Sequence, residues 1–148
     1  MAVLYNAAML ADEHQVVESK GRAHARALAD VFNEHDWSVM LEPGISGPDL
    51  VVSKGGRRYV VELKSSVEGR ADRAIPLLSQ AILQAMHHAG RFPAAQPLAV
   101  VQVSRLTRAL CKHASRFHAD YAPYSAVGLI DDEGGRWFEG EGLEALNA

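Results

Sequence analysis

The sequence predicts an α/β domain in which one mixed β-sheet is flanked by helices. A run with helical spacing of apolar residues comes first, several short β-rich runs joined by turn residues follow, and strand and helix patterns then alternate to residue 130. A meander of neighbouring strands followed by strand–helix alternation builds a single sheet covered by helices. The predicted order of elements is α-β-β-β-α-β-α-β.

The first half of the chain supplies one helix and the meander. A capping-box spacing at Asp12–Gln15 is followed by apolar residues at helical intervals, which predicts a helix over roughly 13–35. Alternating or β-rich runs predict three strands, at residues 37–41, 49–53 and 58–64. Gly55 and Gly56 separate the last two strands and favour a tight hairpin turn, because such a turn needs positive φ at its central residues.

The second half alternates between helix and strand. A second helix is predicted from about Pro76, which a first helical turn tolerates, to Gly90, which is typical of a helix end. The nearly all-apolar run Pro97–Val103 predicts a central strand covered on both faces. A third helix over Arg105–Asp120 and a short strand at Ala126–Ile130 complete the pattern.

Length and composition fit one globular domain over residues 1–148. The 148 residues are 48% hydrophobic and 22% charged, which excludes a disordered or collagenous chain. No apolar run approaches the roughly 20 residues that span a bilayer, and the start lacks the basic residues of a secretory signal. The single cysteine, Cys111, cannot form an internal disulfide. We therefore expect a cytoplasmic protein without membrane contact.

Charge is distributed unevenly along the chain. Of the 15 basic and 18 acidic residues, one basic residue and six acidic residues fall in 131–148, which leaves 14 and 12 for residues 1–130. The body is therefore slightly basic and the C-terminal segment strongly acidic. We expect the core to lie within about 13–130 and 131–148 to be a solvated acidic terminus.

The hairpin brings two carboxylates together. If Gly55 and Gly56 form the turn, Ser53 pairs with Arg58, and the same register places Asp49 opposite Glu62. Directly opposed like charges on antiparallel strands are destabilising. A divalent cation offsets that repulsion best, because hard Mg²⁺ binds one or two carboxylates together with water and phosphate oxygens.

Two neighbours extend this predicted site. The backbone carbonyl of Leu63 is a further candidate oxygen ligand. Lys64 lies on the same strand face as Glu62, since side chains alternate along a strand. Its ammonium group can orient an attacking water and neutralise charge that develops on a phosphate. The alternative is a surface hairpin in which Glu62 and Lys64 are merely solvated and Asp49 caps a turn.

Residues Pro48, Asp49, Glu62 and Lys64, together with the element order, resemble the PD-(D/E)xK or restriction-endonuclease-like nucleases over roughly residues 13–130. The resemblance implies a restriction-endonuclease-like sandwich and hydrolysis of phosphodiester bonds in DNA, less often in RNA. It implies Mg²⁺ as cofactor, with Mn²⁺ able to substitute. It also implies that Asp49 and Glu62 are metal ligands and that Lys64 is the catalytic lysine. We expect no separate target-recognition domain in these 148 residues, which puts specificity for a long sequence in doubt.

The resemblance also implies accessory residues. Many members add a glutamate from the first helix to the metal site, and Glu18 matches best, with Glu13 and Glu34 nearer the helix ends. A solvated helix glutamate is the alternative. Some branches add a polar residue just after the lysine or on the following helix, where ordinary surface positions are the alternative. Candidates for that second role are Ser65, Gln80 and Gln84.

Basic residues predict a nucleic-acid contact. One stripe of the third helix carries basic residues at spacings of three and four, which suits a phosphate backbone, although a solvated helix face has the same pattern. The stripe consists of Arg105, Arg108, Lys112 and Arg116. A second set, Arg57, Arg58, Arg70 and Arg73, flanks the key strand in sequence.

Other readings of the sequence remain open. A domain of this fold can bind nucleic acid or assemble with a partner without cutting, or the motif can be accidental in a protein of another class. Zinc is not expected, because Cys111, His113 and His118 lack ligand spacing and the adjacent His87 and His88 are expected to point apart. A nuclease with one centre suggests a homodimer or a subunit of a larger nucleic-acid-processing complex. The apolar start, Met1–Leu10, is a candidate contact surface, unless it packs on its own domain.

Overall fold

The computed structural model describes residues 20–41, 48–66 and 70–147. The helices are α1 (Lys20–Glu34), α2 (Ala74–Ala89) and α3 (Arg108–Tyr121). The strands are β1 (Ser38–Leu41), β2 (Leu50–Lys54), β3 (Arg57–Ser65), β4 (Ala95–Val103), β5 (Ala126–Asp131) and β6 (Arg136–Glu139). Short 3₁₀ turns cover Ala71–Arg73 and Glu144–Asn147.

The six strands form one sheet in the order in which they occur along the chain. Strands β1, β2 and β3 pair antiparallel, β3, β4 and β5 pair parallel, and β6 pairs antiparallel with β5. The predicted α/β class with a mixed sheet flanked by helices is confirmed. Within the described ranges, no helix is long and apolar enough to cross a membrane.

The β2–β3 hairpin has the predicted register. Gly55 and Gly56 adopt φ of 56° and 82°, as a primed two-residue turn requires. Ser53 pairs with Arg58, and the ladder continues to the pair Leu50 and Val61. Asp49 and Glu62 are the residues next to this last pair, where the ladder has ended.

The sheet separates two apolar cores. On one face α1 packs on a core that includes Tyr59, Val61 and Leu63 from β3. On the other face α2 and α3 pack on a core that includes Val101 of β4 and Leu129 of β5. Because side chains alternate along β3, its even-numbered residues, Glu62 and Lys64 among them, point toward the α2 face.

The C-terminal segment belongs to the fold, so the predicted core boundary at residue 130 and the solvated terminus are wrong. Phe138 is 1% exposed, and Leu143 and Leu146 are fully buried in the α1-side core. The amide side chain of Asn147 accepts a hydrogen bond from the backbone N–H of Phe138 and donates one to its carbonyl. The six acidic residues made the segment look solvent-exposed in the sequence, although three of its apolar residues, Phe138, Leu143 and Leu146, are buried.

Helix boundaries differ from prediction at Arg105, one of the candidate nucleic-acid-binding residues. α3 begins at Arg108 because Thr107 is its N-cap, with the hydroxyl accepting from the Leu110 N–H at 3.1 Å. Arg105 therefore lies in the preceding loop rather than on the helix. α2 begins two residues before Pro76 and ends with Gly90 as its C-cap, close to the prediction. The predicted start of the first helix lies outside the described residues.

Candidate active site at the open end of the hairpin

Asp49 lies just before β2, where that strand stops pairing with β3. The last paired residues are Leu50 and Val61, so the Leu63 N–H lies beyond the ladder. The Asp49 carboxylate takes the place of a strand carbonyl, and its Oδ2 accepts a hydrogen bond from the Leu63 N–H at 2.7 Å. This bond fixes the Asp49 carboxylate beside the residue that follows Glu62.

Glu62 is a nearly buried acid. Its residue is 8% exposed, and its Oε1 lies 3.9 Å from Lys64 Nζ. Burial and the neighbouring charge of Asp49 raise the pKa of Glu62 to about 7, against the opposing effect of Lys64. The two carboxylates therefore interact unfavourably when both are ionised, as the sequence predicts.

The second oxygen of Glu62 has no hydrogen-bond partner among the residues that the structure describes. It lies 3.9 Å from Nε2 of His88, whose side chain is 14% exposed. Burial, together with the charges of His87 and Arg91, lowers the pKa of His88. The imidazole is therefore neutral at pH 7, and the two groups do not form an ion pair there.

Sequence analysis missed His88, although a signal was present. The α2 residues that face the sheet recur at helical spacing, and His88 follows Ala85 by three residues on the same stripe. A polar residue on an apolar stripe faces whatever polar group lies opposite. His87 is exposed instead, with its Nε2 3.4 Å from Arg91 Nη2, and the two histidine rings are 5.4 Å apart.

The donor set suits a hard cation that needs few protein ligands. Among the residues that the structure describes, no group of three or more His, Cys, Asp and Glu side chains could hold a metal ion. Mg²⁺ binds through one or two carboxylates and keeps several waters. Asp49 and Glu62 supply that number, and the buried, unpartnered Oε2 of Glu62 is the kind of atom that a cation or its water satisfies. Glu18 and Glu13, the candidate helix ligands, lie outside the described residues.

Arg57 and Arg58, two of the residues predicted to contact nucleic acid, do not lie beside Asp49 and Glu62. Both residues are at the turn end of β3, and Arg57 is roughly 23 Å from Lys64 at about 3.3 Å per residue. Arg57 Nη2 donates to Glu141 Oε1 at 2.8 Å, and Arg58 Nε donates to Ser53 Oγ at 3.3 Å. Neighbours in sequence are thus at opposite ends of the strand.

The remaining candidate site residues are either paired with another side chain or exposed to solvent. Arg70 is paired with Asp72 at 2.8 Å, whereas Arg73 and Gln80 are exposed at the start of α2. Glu34, at the end of α1, is paired with Arg136 at 3.5 Å. The basic residues of α3, together with Arg105 and the α2 residue Gln84, are all exposed. These are Arg105, Arg108, Lys112, Arg116 and Gln84.

Ser65 belongs to the opposite face from Lys64. Its hydroxyl is hydrogen-bonded to His24 Nδ1 of α1 at 2.7 Å. His24 Nε2 lies 3.7 Å from Asp132 Oδ1, which also accepts from the buried amide of Gln102 at 2.7 Å. This polar chain ties α1 to the carboxyl ends of β3, β4 and β5, so Ser65 anchors the strand and does not face the acids.

Comparisons with known proteins include a distant likeness to a solved structure. No family model matches the chain, and no curated protein matches it. A crystal structure described as a protein of unknown function, AF1548, is similar at a TM-score of 0.45 and 17% sequence identity. The alignment covers 86% of this chain and 65% of that one.

Proposed function

We propose that this protein is a metal-dependent nuclease that hydrolyses phosphodiester bonds in DNA through Asp49, Glu62 and Lys64. The observation that carries the proposal is a pair of neighbouring carboxylates at the open end of the hairpin: Glu62 is nearly buried, the charge of Asp49 acts on it, and a lysine ammonium lies 3.9 Å away. A buried acid with a raised pKa beside a second acid is typical of a functional site. The mixed sheet with its antiparallel meander and β3–α2–β4 crossover supports our assignment of the restriction-endonuclease-like fold.

Each group of the candidate site has its own proposed role in hydrolysis. Asp49 and Glu62 would hold Mg²⁺, or Mn²⁺ in its place, with the Leu63 carbonyl as a further oxygen ligand. The bound cation would lower the pKa of a water and polarise the phosphate. The Leu63 N–H orients the Asp49 carboxylate through its 2.7 Å hydrogen bond. Lys64 neutralises charge on the phosphate as it develops, and its proximity to Glu62 sets the position of its ammonium group.

The substrate assignment rests on phosphate chemistry and on surface charge. Basic side chains on α3 are exposed and spaced to follow a phosphate backbone. DNA is the proposed substrate, with RNA second, and a homodimer or a larger complex would supply the second centre for a duplex. We also propose a cytoplasmic location, because the single cysteine, Cys111, cannot form an internal disulfide and therefore fits a reducing compartment.

A cleavage assay tests the proposal. Labelled duplex, branched and single-stranded DNA and the matching RNAs are incubated with Mg²⁺ or Mn²⁺, beside chelator. Lys64→Ala should abolish cleavage. Lys54→Ala is the matched control, because Lys54 is an exposed lysine of the same hairpin whose Nζ donates to the His35 carbonyl. Equal rates for the parent and Lys64→Ala would exclude the proposed site.

The second candidate is a module of the same fold that binds nucleic acid or assembles without cutting. The exposed basic side chains of α3 favour it, because they serve binding and need no cation. Binding of DNA without cation-dependent cleavage of any tested structure would select this alternative.

A further inference from the structure

Glu62 and His88 are the buried polar groups that face each other in the candidate site. Within the described ranges, Glu62 Oε2 has no hydrogen-bond partner, and neither has His88 Nδ1. The other ring nitrogen of His88, Nε2, is the one that lies near Glu62 Oε2. Both side chains are nearly buried, with 11% and 14% of their surfaces exposed. A buried polar atom without a partner carries a desolvation penalty of about 1–3 kcal/mol. Native folds keep such groups mainly where a water, an ion or a reaction uses them.

The separation of the two groups indicates what lies between them. His88 Nε2 is 3.9 Å from Glu62 Oε2, which is too long for a direct hydrogen bond. One water molecule that makes two hydrogen bonds of about 2.8 Å spans such a distance. A carboxylate oxygen and an imidazole nitrogen are together able to fix the orientation of that water.

We propose that His88 is a positioning residue of the active site, where its Nε2 and Glu62 Oε2 hold one water molecule between α2 and β3. The inference rests on the proposed function and adds a residue from the helix face to the three from the hairpin. The water lies against the ligand Glu62, where it is available to the cation and to the phosphate.

The surroundings of His88 distinguish this role from simple packing. His88 continues the buried stripe of α2 that includes Leu78, Ala81 and Ala85. An apolar side chain would fill such a position without leaving a polar atom unpartnered. A purely structural role therefore predicts that leucine serves as well as histidine, and a positioning role predicts that it does not.

The test uses four variants of the full chain in the cleavage assay. His88→Leu fills the stripe but removes the nitrogen, and His88→Gln places an amide near the position of Nε2. His88→Asn places its amide near Nδ1 instead. His87→Ala is the matched control, because His87 is the exposed neighbour on the same helix.

We expect His88→Leu to lower kcat by about 10–100-fold at saturating metal, with KM for DNA unchanged, as is typical when a partner of a metal ligand is removed. Glutamine should restore more activity than asparagine, and His87→Ala should match the parent. A cleaving parent whose His88→Leu variant has the kcat and metal dependence of His87→Ala would overturn the inference and leave the proposed function standing.

A second measurement separates the two proposals if the parent cuts nothing. Mn²⁺ is titrated into the parent, His88→Leu and His87→Ala, and the free ion is followed by electron paramagnetic resonance. Binding by the parent that weakens about tenfold or more in His88→Leu alone supports His88 as part of a metal site even though the nuclease proposal fails. Equal affinities in all three proteins, or no binding by the parent, would overturn the inference.

Discussion

The two ends of β3 differ in how well their polar groups are paired. At the turn end, Arg57 is paired with Glu141 at 2.8 Å, and the Tyr59 hydroxyl donates to the Glu141 carbonyl at 2.6 Å. At the other end, Glu62 is 3.9 Å from Lys64 Nζ and from His88 Nε2, and one of its oxygens has no partner among the described residues. The same strand thus has one satisfied end and one unsatisfied end.

The difference separates stability from function. Paired groups at the turn end fix β3 to the C-terminal segment, so that end contributes to the free energy of unfolding. The neighbouring acids Asp49 and Glu62 at the open end lower that free energy when both are ionised, and the proposed cation would offset their repulsion. Unfavourable local arrangements in proteins occur mainly at functional sites, and favourable interactions elsewhere in the fold compensate for their cost in stability. Substitutions at the two ends should therefore change different quantities.

The largest effect is expected on cleavage at the open end. Asp49→Ala, Glu62→Ala and Lys64→Ala should each reduce kcat to background, a loss on the order of 10³-fold or more. Groups that act as one unit give similar losses that do not add, so the triple variant should be no worse than each single one. Single-turnover cleavage with excess enzyme measures these rates.

A different pattern of losses would contradict this prediction. Losses that multiply from variant to variant would mean that the three residues act independently. Lys54→Ala at the turn end should retain the parent rate, because its lysine contacts the His35 carbonyl and not the acids.

The largest effect on stability is expected in the C-terminal segment, whose Glu141 contacts the turn end of β3. Phe138 is 1% exposed and packs edge-on against Phe32, with ring centroids 6.1 Å apart. Phe138→Ala should lower the free energy of unfolding by about 3–5 kcal/mol, through lost burial and a cavity. Urea unfolding measures the change, and Lys64→Ala is the control, with an expected change within about 0.5 kcal/mol.

A loss below about 1 kcal/mol for Phe138→Ala would mean that β6 is not part of the cooperative core. A large loss for Lys64→Ala would mean that the open end is structural, and the contrast between the two ends would disappear.

Sequence patterns predicted the hairpin well because its signal is local. Gly55 and Gly56 fix the turn, the turn fixes the register, and that register extends to Leu50 and Val61, the neighbours of Asp49 and Glu62. Alternation then assigns Glu62 and Lys64 to one face without any long-range information. The roles of these residues in binding and catalysis stay predictions.

Long-range packing limited the rest of the prediction. The strand that contains Phe138 is four residues long and follows a turn in which Asp131 Oδ1 accepts from two backbone N–H groups, of Glu133 and Gly135. Six acids around it gave the segment a solvated appearance. Arg57 and Arg58 are near the motif in sequence, yet an extended strand places them far from it.

His88 illustrates the same limit from the other direction. Twenty-six positions separate it from Glu62 along the chain, and only the β3–α2–β4 crossover brings the two together. The stripe of α2 indicated that His88 faces the sheet, but nothing local indicated which side chain lies opposite.

A smaller effect on stability is expected from pH at the open end. The pKa of Glu62 is raised to about 7 in the fold from its ordinary 4.5, so the folded state holds this proton more tightly than the unfolded state. Its contribution to stability is fully present below about pH 4.5 and is lost as pH rises through about 7, by on the order of 3 kcal/mol. Urea unfolding in chelator between pH 4 and pH 8 measures this loss in the parent.

Glu62→Gln isolates the effect, since the amide cannot ionise. The difference in unfolding free energy between Glu62→Gln and the parent should grow from pH 4 to pH 8. In Asp49→Asn, the decrease in unfolding free energy with pH should occur at lower pH than in the parent, because the repulsion from Asp49 is removed. Mg²⁺ should restore stability to the parent at pH 8 and do much less for either variant, because a ligand stabilises only the state that binds it. Parallel curves for the parent and Glu62→Gln would show that the open end carries no buried repulsion.

The smallest effect is expected at the turn end, where a single hydrogen bond is removed. Tyr59 is 1% exposed, and burial raises the pKa of its hydroxyl to about 12 while the hydroxyl donates to the Glu141 carbonyl. Tyr59→Phe keeps the ring and should lower the free energy of unfolding by about 1 kcal/mol, the typical net value of one such bond. Arg57→Ala should change it by less than about 1 kcal/mol, since the pair with Glu141 is largely solvent-exposed. Neither variant should alter the cleavage rate or the response to Mg²⁺, and urea unfolding beside single-turnover cleavage checks both expectations. A loss of cleavage in Tyr59→Phe with stability unchanged would place function at the turn end and reverse the contrast between the two ends of β3.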